Sequence, residues 1–360
     1  MYRILHQHFS QLGGKAESLP GESYDFVTNT GTIIQQKTGN LLKISKPFSP
    51  GMKKVLLCGH MDTVFAPSDP FQTVRQIGQD QLNGPGVADM KGGLLVIYYA
   101  LLALEQSPFA DKIAWQILIN ADEEIGSLGS AKQLSMAAAQ ADFGLVYEPS
   151  MTPEGCFAGQ RKGSGKFSII VTGKQAHAGR AFYEGRNAIC HLAAMVSDIH
   201  RLNDPTSTLT VNVGVFHGGQ ALNVVPDKAV AKLDVRYQTE ADQVNFSNQL
   251  SELVERHQHE DYQVDVVGGF SRPTKPLTPE TENLFFLLQE VGECLDQKIE
   301  WRPSGGCCDG NNLSAKGLPV IDTLGVRGGK IHSSEEFMYL DSIIERSQLS
   351  ALLLMRLAQE

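Results

Sequence analysis

Three apolar runs, KKVLLCG (Lys53–Gly59), IAWQILIN (Ile113–Asn120) and DFGLVYE (Asp142–Glu148), alternate with segments of helical character. This alternation limits the fold more than any other feature of the chain. Continuous apolar runs of that length suit strands buried on both faces. Strands alternating with helices imply βαβ units and a largely parallel sheet, an α/β fold with helices on both faces. Each run also leads into His, Asp or Glu: GHMDT follows the first, ADEEIGS the second, and YEPS ends the third. Open α/β sheets hold their ligands at the carboxyl ends of the strands. One polar site assembled from distant segments is therefore expected.

The pattern changes near Gly163. SGKFSIIVTGK, STLTVNVGVFHGG, KAVAKLDVRYQT and YQVDVVGGF read as strands, and GRNAICHLAAMVSDIHRL and TEADQVNFSNQLSELVERHQ as helices. Strand–helix–strand–strand–helix–strand is the order of a ferredoxin-like domain. SRPTKPLTPE, with three prolines, then reads as a linker. The expectation is a discontinuous larger domain, residues 1–162 plus 271–360, interrupted by an α+β domain at 163–270. A chain of 360 residues is long enough for two such domains.

The net charge of −9 argues against a nucleic-acid partner, which would favour a basic surface. The longest apolar stretch, Leu94–Leu104, falls short of a bilayer span and reads as a buried helix. MYRILHQHFSQL carries no secretory pattern. The six cysteines then read as reduced thiols, which implies a cytoplasmic protein.

His60 and Asp62 share a face if the backbone is extended, so one can bind a metal while the other orients it. Alone, the pair is a weak signal and reads sooner as a capped surface loop. Asp89, between NGPGVA and MKGG, has helix capping as its ordinary role. Glu123 and Glu124 point to opposite sides of a strand end, and buried they need a counter-charge that a metal supplies. Glu148 closes the third run, and His332 stands in KIHSSEEF after a glycine-rich stretch. Taken together, two His, two Asp and three Glu point to a metal site. Mixed imidazole and carboxylate suits zinc, and cobalt or manganese as well. Five ligands exceed the need of one tetrahedral ion, so two ions sharing a carboxylate fit better.

GHMDTV, GPGVADMKGG, DEEIGS, YEPS, GKQAHAG, NVVPDKA, DVRY and IHSSEEF, in this order, resemble the co-catalytic zinc exopeptidase family. That family contains glutamate carboxypeptidase, acetylornithine deacetylase, succinyl-diaminopimelate desuccinylase and aminoacylase. The resemblance implies that Asp89 bridges two zinc ions, that His60 and Glu148 complete one, and that Glu124 and His332 complete the other. It makes Asp62 the residue orienting His60 and Glu123 the general base. It assigns His177, in GKQAHAG, to the oxyanion across a homodimer interface. Asn223 and Arg236 become contacts for a substrate carboxylate. Gly306, in SGGCCDGNN, lets the backbone approach the substrate, beside Cys307 and Cys308, which are expected to be inert. By the same resemblance the chain begins inside the family's first helix, with an initial segment expected to be absent.

The function expected is a two-zinc hydrolase that cleaves an amide bond next to a free carboxylate, most simply a carboxypeptidase acting on small peptides. An N-acyl amino acid deacylase is the alternative within the class, since the same metals serve both. A non-catalytic dimeric binding module is disfavoured because no expected ligand or base is missing. A two-metal phosphoesterase is disfavoured because no phosphate-cradling glycine loop is evident.

Overall fold

The computed structural model describes residues 1–359; Glu360, which ends the expected larger domain, lies outside them. Contacts divide the chain into two units. The larger comprises Met1–Glu22, Lys37–Arg161 and Lys275 onward, and the smaller comprises Ser23–Gln36 and Lys162–Thr274.

The larger unit is built on a six-stranded sheet in the order Lys15–Leu19, Leu41–Ser45, Ile113–Asn120, Lys53–His60, Phe143–Val146, Val320–Ile321. The last four strands are parallel, and the first two join antiparallel at one edge. The apolar runs are buried on both faces because successive side chains enter different cores. Val55 and Leu57 pack with the helices Gly93–Glu105, Pro279–Glu293 and Asp341–Leu357. Leu56 and Cys58 pack with Leu134, Ala138 and Leu313 from helices on the other side. The α/β class, the helices on both faces and a sheet that is mostly parallel are as expected, and the two antiparallel edge strands make the sheet mixed. The apolar stretch Leu94–Leu104 lies within a core helix whose buried face includes Val96, Ile97, Ala100 and Leu101.

The smaller unit holds a four-stranded antiparallel sheet in the order Thr210–Gly218, Lys228–Tyr237, Gly163–Thr172, Gln263–Arg272. The helices Ala188–His200 and Glu240–His257 share a core with one face of this sheet, the ferredoxin-like arrangement. Part of the opposite face is covered by a hairpin, Tyr24–Val27 paired with Ile33–Gln36. The division expected from sequence had put this hairpin in the larger domain. It groups with the smaller unit because Val27 packs on Ile170 and Val230. Lys232 Nζ also donates to the Val27 carbonyl at 2.6 Å and sits 4.4 Å from the Phe26 ring centroid.

Candidate metal centre

Every expected metal ligand belongs to the larger unit, and His60, Glu124 and Glu148 lie at or just beyond the carboxyl ends of its parallel strands. His60 is the last residue of its strand and is 1% exposed. Its Nε2 lies 3.0 Å from Asp89 Oδ1 and 3.8 Å from Glu148 Oε2. Its Nδ1 faces Asp62, 3.1 Å from the backbone carbonyl and 3.4 Å from Oδ1. The ring is thus oriented from behind, leaving Nε2 for the centre. Asp62 Oδ2 also accepts the Glu124 backbone N–H at 3.0 Å, which ties the His60 loop to the Glu123–Glu124 loop.

Asp89 stands at an irregular turn before the helix Gly93–Glu105, with φ −111° and ψ 89°. Its second oxygen, Oδ2, lies 3.2 Å from His332 Nε2, which in turn is 3.3 Å from Glu124 Oε2. One carboxylate therefore stands between two imidazoles, each accompanied by a glutamate. Glu123 joins His60 and Glu148 in a group whose ligand atoms lie within 4.8 Å of one another, and His60, Asp89 and Glu124 form a second.

The charge state of these groups follows from their neighbours. Burial opposes protonation of His60, yet its bonds to Asp62, Asp89 and Glu148 raise its pKa well above the ordinary histidine value. His332 is pushed up to about 10 by its bonds to Asp89 and Glu124. Burial raises the Glu148 and Glu124 carboxyls. Burial opposes ionisation of Asp89 too, but the two imidazoles win and hold it below the usual carboxylate range. Protons here take the place that a cation would fill. Glu124 Oε1 and Glu148 Oε1 are buried and accept no hydrogen bond. Orphaned buried carboxylate oxygens are costly, and a divalent cation between imidazole and carboxylate would satisfy them. The residues present therefore fit a metal centre.

One residue in this centre carried no assignment from sequence. Glu336 is 1% exposed, and its carboxylate accepts the backbone N–H groups of Gly86, Ala88 and Asp89 at 2.9, 3.0 and 3.0 Å. It holds the turn that presents Asp89. The Glu123–Glu124 loop is braced in a similar way, with Asp122 Oδ2 accepting Gly129 N–H at 2.6 Å. Asp309 accepts from Ser127 and from Asn120.

The remaining predicted residues are distributed differently. His177 and Asn223 are neighbours in the smaller unit, where Ala178 N–H donates to the Asn223 carbonyl at 3.0 Å. His177 is exposed, with Nδ1 accepting from Gly179 N–H. Arg236 lies near the far end of the strand Lys228–Tyr237, forked onto Asp234 at 2.6 and 3.1 Å. Gly306 is exposed in a turn of the larger unit, and a side chain there would meet only Arg161 Nη1 and Ser304 Oγ, both at 3.7 Å. Cys308 is buried, accepts from Gly310 N–H at 3.3 Å, and has its thiol pushed up by burial, as an inert cysteine should. All six thiols are free.

The sequence matches Peptidase family M20/M25/M40 over residues 56–356, and the chain belongs to that family of metal-dependent hydrolases. Among its relatives, carboxypeptidase G2 from Pseudomonas sp. (strain RS-16) is 29% identical over 91% of this chain and 80% of its own length. Succinyl-diaminopimelate desuccinylase from Thioalkalivibrio sulfidiphilus is 26% identical over 81% of this chain and 79% of its own. A dinuclear metal-binding peptidase from Bacillus subtilis has the same fold, with a TM-score of 0.67 at 14% identity over 99% of this chain and 91% of its own.

Proposed function

We propose that the protein is a two-metal hydrolase that cleaves an amide bond adjacent to a free carboxylate, most simply a carboxypeptidase releasing a C-terminal amino acid. The observation that carries this reading is the Asp89 carboxylate shared between His60 and His332, with Glu148 beside one imidazole and Glu124 beside the other. These five residues would hold two zinc ions, with cobalt or manganese suiting the same donors. When bound, the ions would polarise the scissile carbonyl and make the attacking water a stronger acid.

Glu123 takes the proton from that water and delivers it to the leaving amine. Asp62 keeps the His60 ring in place. His177, contributed by the second chain of a homodimer, donates to the developing oxyanion. Asn223 and Arg236 hold the substrate carboxylate, for which the planar guanidinium fork is suited. Because Arg236 is already forked onto Asp234, a substrate must compete with that carboxylate. The enzyme works in the cytoplasm with its thiols reduced.

A second reading, an N-acyl amino acid deacylase, is favoured by the desuccinylase among the relatives. Metal analysis with a hydrolysis screen of dipeptides and N-acyl amino acids separates the two. Glu123→Gln is expected to retain its metal while turnover falls roughly 10²–10⁴-fold. Full activity in that variant would overturn the mechanism. Chelation should abolish activity and added zinc, cobalt or manganese restore it. A solution mass of one chain would remove His177 from the assignment.

A further inference from the structure

The segment 121–126 carries Glu123 and Glu124 out of the strand Ile113–Asn120, and both its ends are tied to one carboxylate. Asn120, the last residue of that strand, donates from Nδ2 to Asp309 Oδ2 at 2.8 Å. Ser127, the first residue beyond the segment, donates from Oγ to Asp309 Oδ1. Asp309 opens the helix Asp309–Ser314 and is separated from the two donors by 189 and 182 residues of chain. All three residues are buried, none more than 1% exposed.

The turn between the two anchors is not a relaxed one. Ser127 has φ +55°, in the left-handed region that an L side chain adopts at a cost, and Gly126 before it has φ +107°. Such backbone persists only where its surroundings over-determine it. Its own bonds run straight to the acidic pair. Gly126 N–H donates to the Glu123 carbonyl at 2.8 Å and Ser127 N–H to the Asp122 carbonyl at 2.7 Å. The place of Ser127 therefore sets the place of Glu123. Glu124 has a separate anchor, since its backbone N–H is held by Asp62 Oδ2 from the His60 loop.

We propose that Asp309 is a positioning residue of the hydrolytic centre. By holding Asn120 and Ser127 on one carboxylate, it closes the 121–126 turn and sets Glu123 where the proton of the attacking water is taken. This deepens the proposed function and rests on Glu123 being the base. A reacting group misplaced by about 1 Å loses on the order of 10²-fold in rate. The clamp acts on the base more than on the metals, because the ligand Glu124 keeps its tie to Asp62.

The test is hydrolysis of an N-acylglutamate by zinc-loaded wild type, Asp309→Ala and Asp309→Asn, each with and without Glu123→Gln. Asp309→Ala should lower kcat roughly 10–100-fold, with little change in KM and with zinc content retained. In the Glu123→Gln background the same substitution should change kcat little, because both act through one group. A general packing defect would instead lower kcat in both backgrounds. Asp309→Asn should recover most of the loss, since its oxygen can accept from Asn120 and its amide can donate to Ser127 Oγ. An unchanged kcat in Asp309→Ala, or equal losses in the two backgrounds, overturns the proposal. Full activity of Glu123→Gln by itself overturns the proposed function instead. If Asp309→Ala does not fold, Ser127→Ala, which removes one arm of the clamp, takes its place in the same cycle. A second arm needs no substrate and follows amide hydrogen exchange in zinc-free protein. Residues 122–129 should exchange at least about tenfold faster in Asp309→Ala than in wild type, with the strand Ile113–Asn120 unchanged. Equal protection of the turn in the two proteins refutes the clamp.

Discussion

Glu336 accepts three backbone hydrogen bonds from the turn that carries Asp89, across a sequence separation of 247 to 250 residues. Removing its carboxylate leaves three buried N–H groups without an acceptor, and each such group costs about 1–3 kcal/mol. Glu336→Ala should therefore destabilise the metal-free protein by ~3 kcal/mol or more in urea unfolding, and weaken metal binding as Asp89 loses its support. Glu336→Gln, which keeps one acceptor oxygen, should lose less. Equal stability of Glu336→Ala and wild type would refute the role. His332, four residues earlier, was legible because imidazole is a metal-ligand type. Glu336 was not, because its partners are backbone N–H groups, which have no residue-type signature.

At the scale of elements, the ends of strands were the most legible part of the site. His60, Glu123, Glu124 and Glu148 follow apolar runs whose burial on both faces is visible as unbroken hydrophobicity. The hairpin Tyr24–Val27 and Ile33–Gln36 was not legible, because its short strands are largely exposed and only Val27 is buried. Neither was the close contact between the helix Gly93–Glu105 and the strand end that leads to Glu148. A Cβ on Gly93 would lie 2.0 Å from the Tyr147 carbonyl oxygen, so only glycine permits it. Gly93→Ala must push the helix away from the residue preceding Glu148. The expected outcome is loss of bound metal at micromolar zinc along with lower thermal stability. A variant that keeps both would show that the contact can relax.

For the molecule as a whole, the metal-free centre couples stability to pH with a defined sign. His332 has an ordinary value of 6.5 and is pushed to about 10 in the folded protein. Its contribution is fully present below about pH 6.5 and is lost as pH rises through about 10. Burial of Glu148 acts in the same direction, since its folded form favours the proton. The unfolding temperature of metal-free protein should therefore fall between about pH 6.5 and 10, whereas bound metal, which supplies the counter-charge itself, should flatten that slope. Calorimetry on chelated and zinc-loaded protein tests this, and parallel slopes would refute it. The expected discontinuity of the larger domain was legible because IHSSEEF stands far beyond the other motifs. The buried ion pairs of Asp322 with Arg161 at 2.8 Å and Lys275 at 3.2 Å were not, because long-range ion pairs leave no local pattern.

The bond between Glu336 and the Asp89 turn also has a consequence in time. A ribosome has finished the strands that end at or lead into His60, Glu123 and Glu148 long before it reaches residue 336. Until then the Asp89 turn lacks its acceptor and the second imidazole does not exist. Completion of the centre is therefore a late event in biogenesis, and a nascent chain halted before Lys330 should bind metal more weakly than the full chain however long it waits.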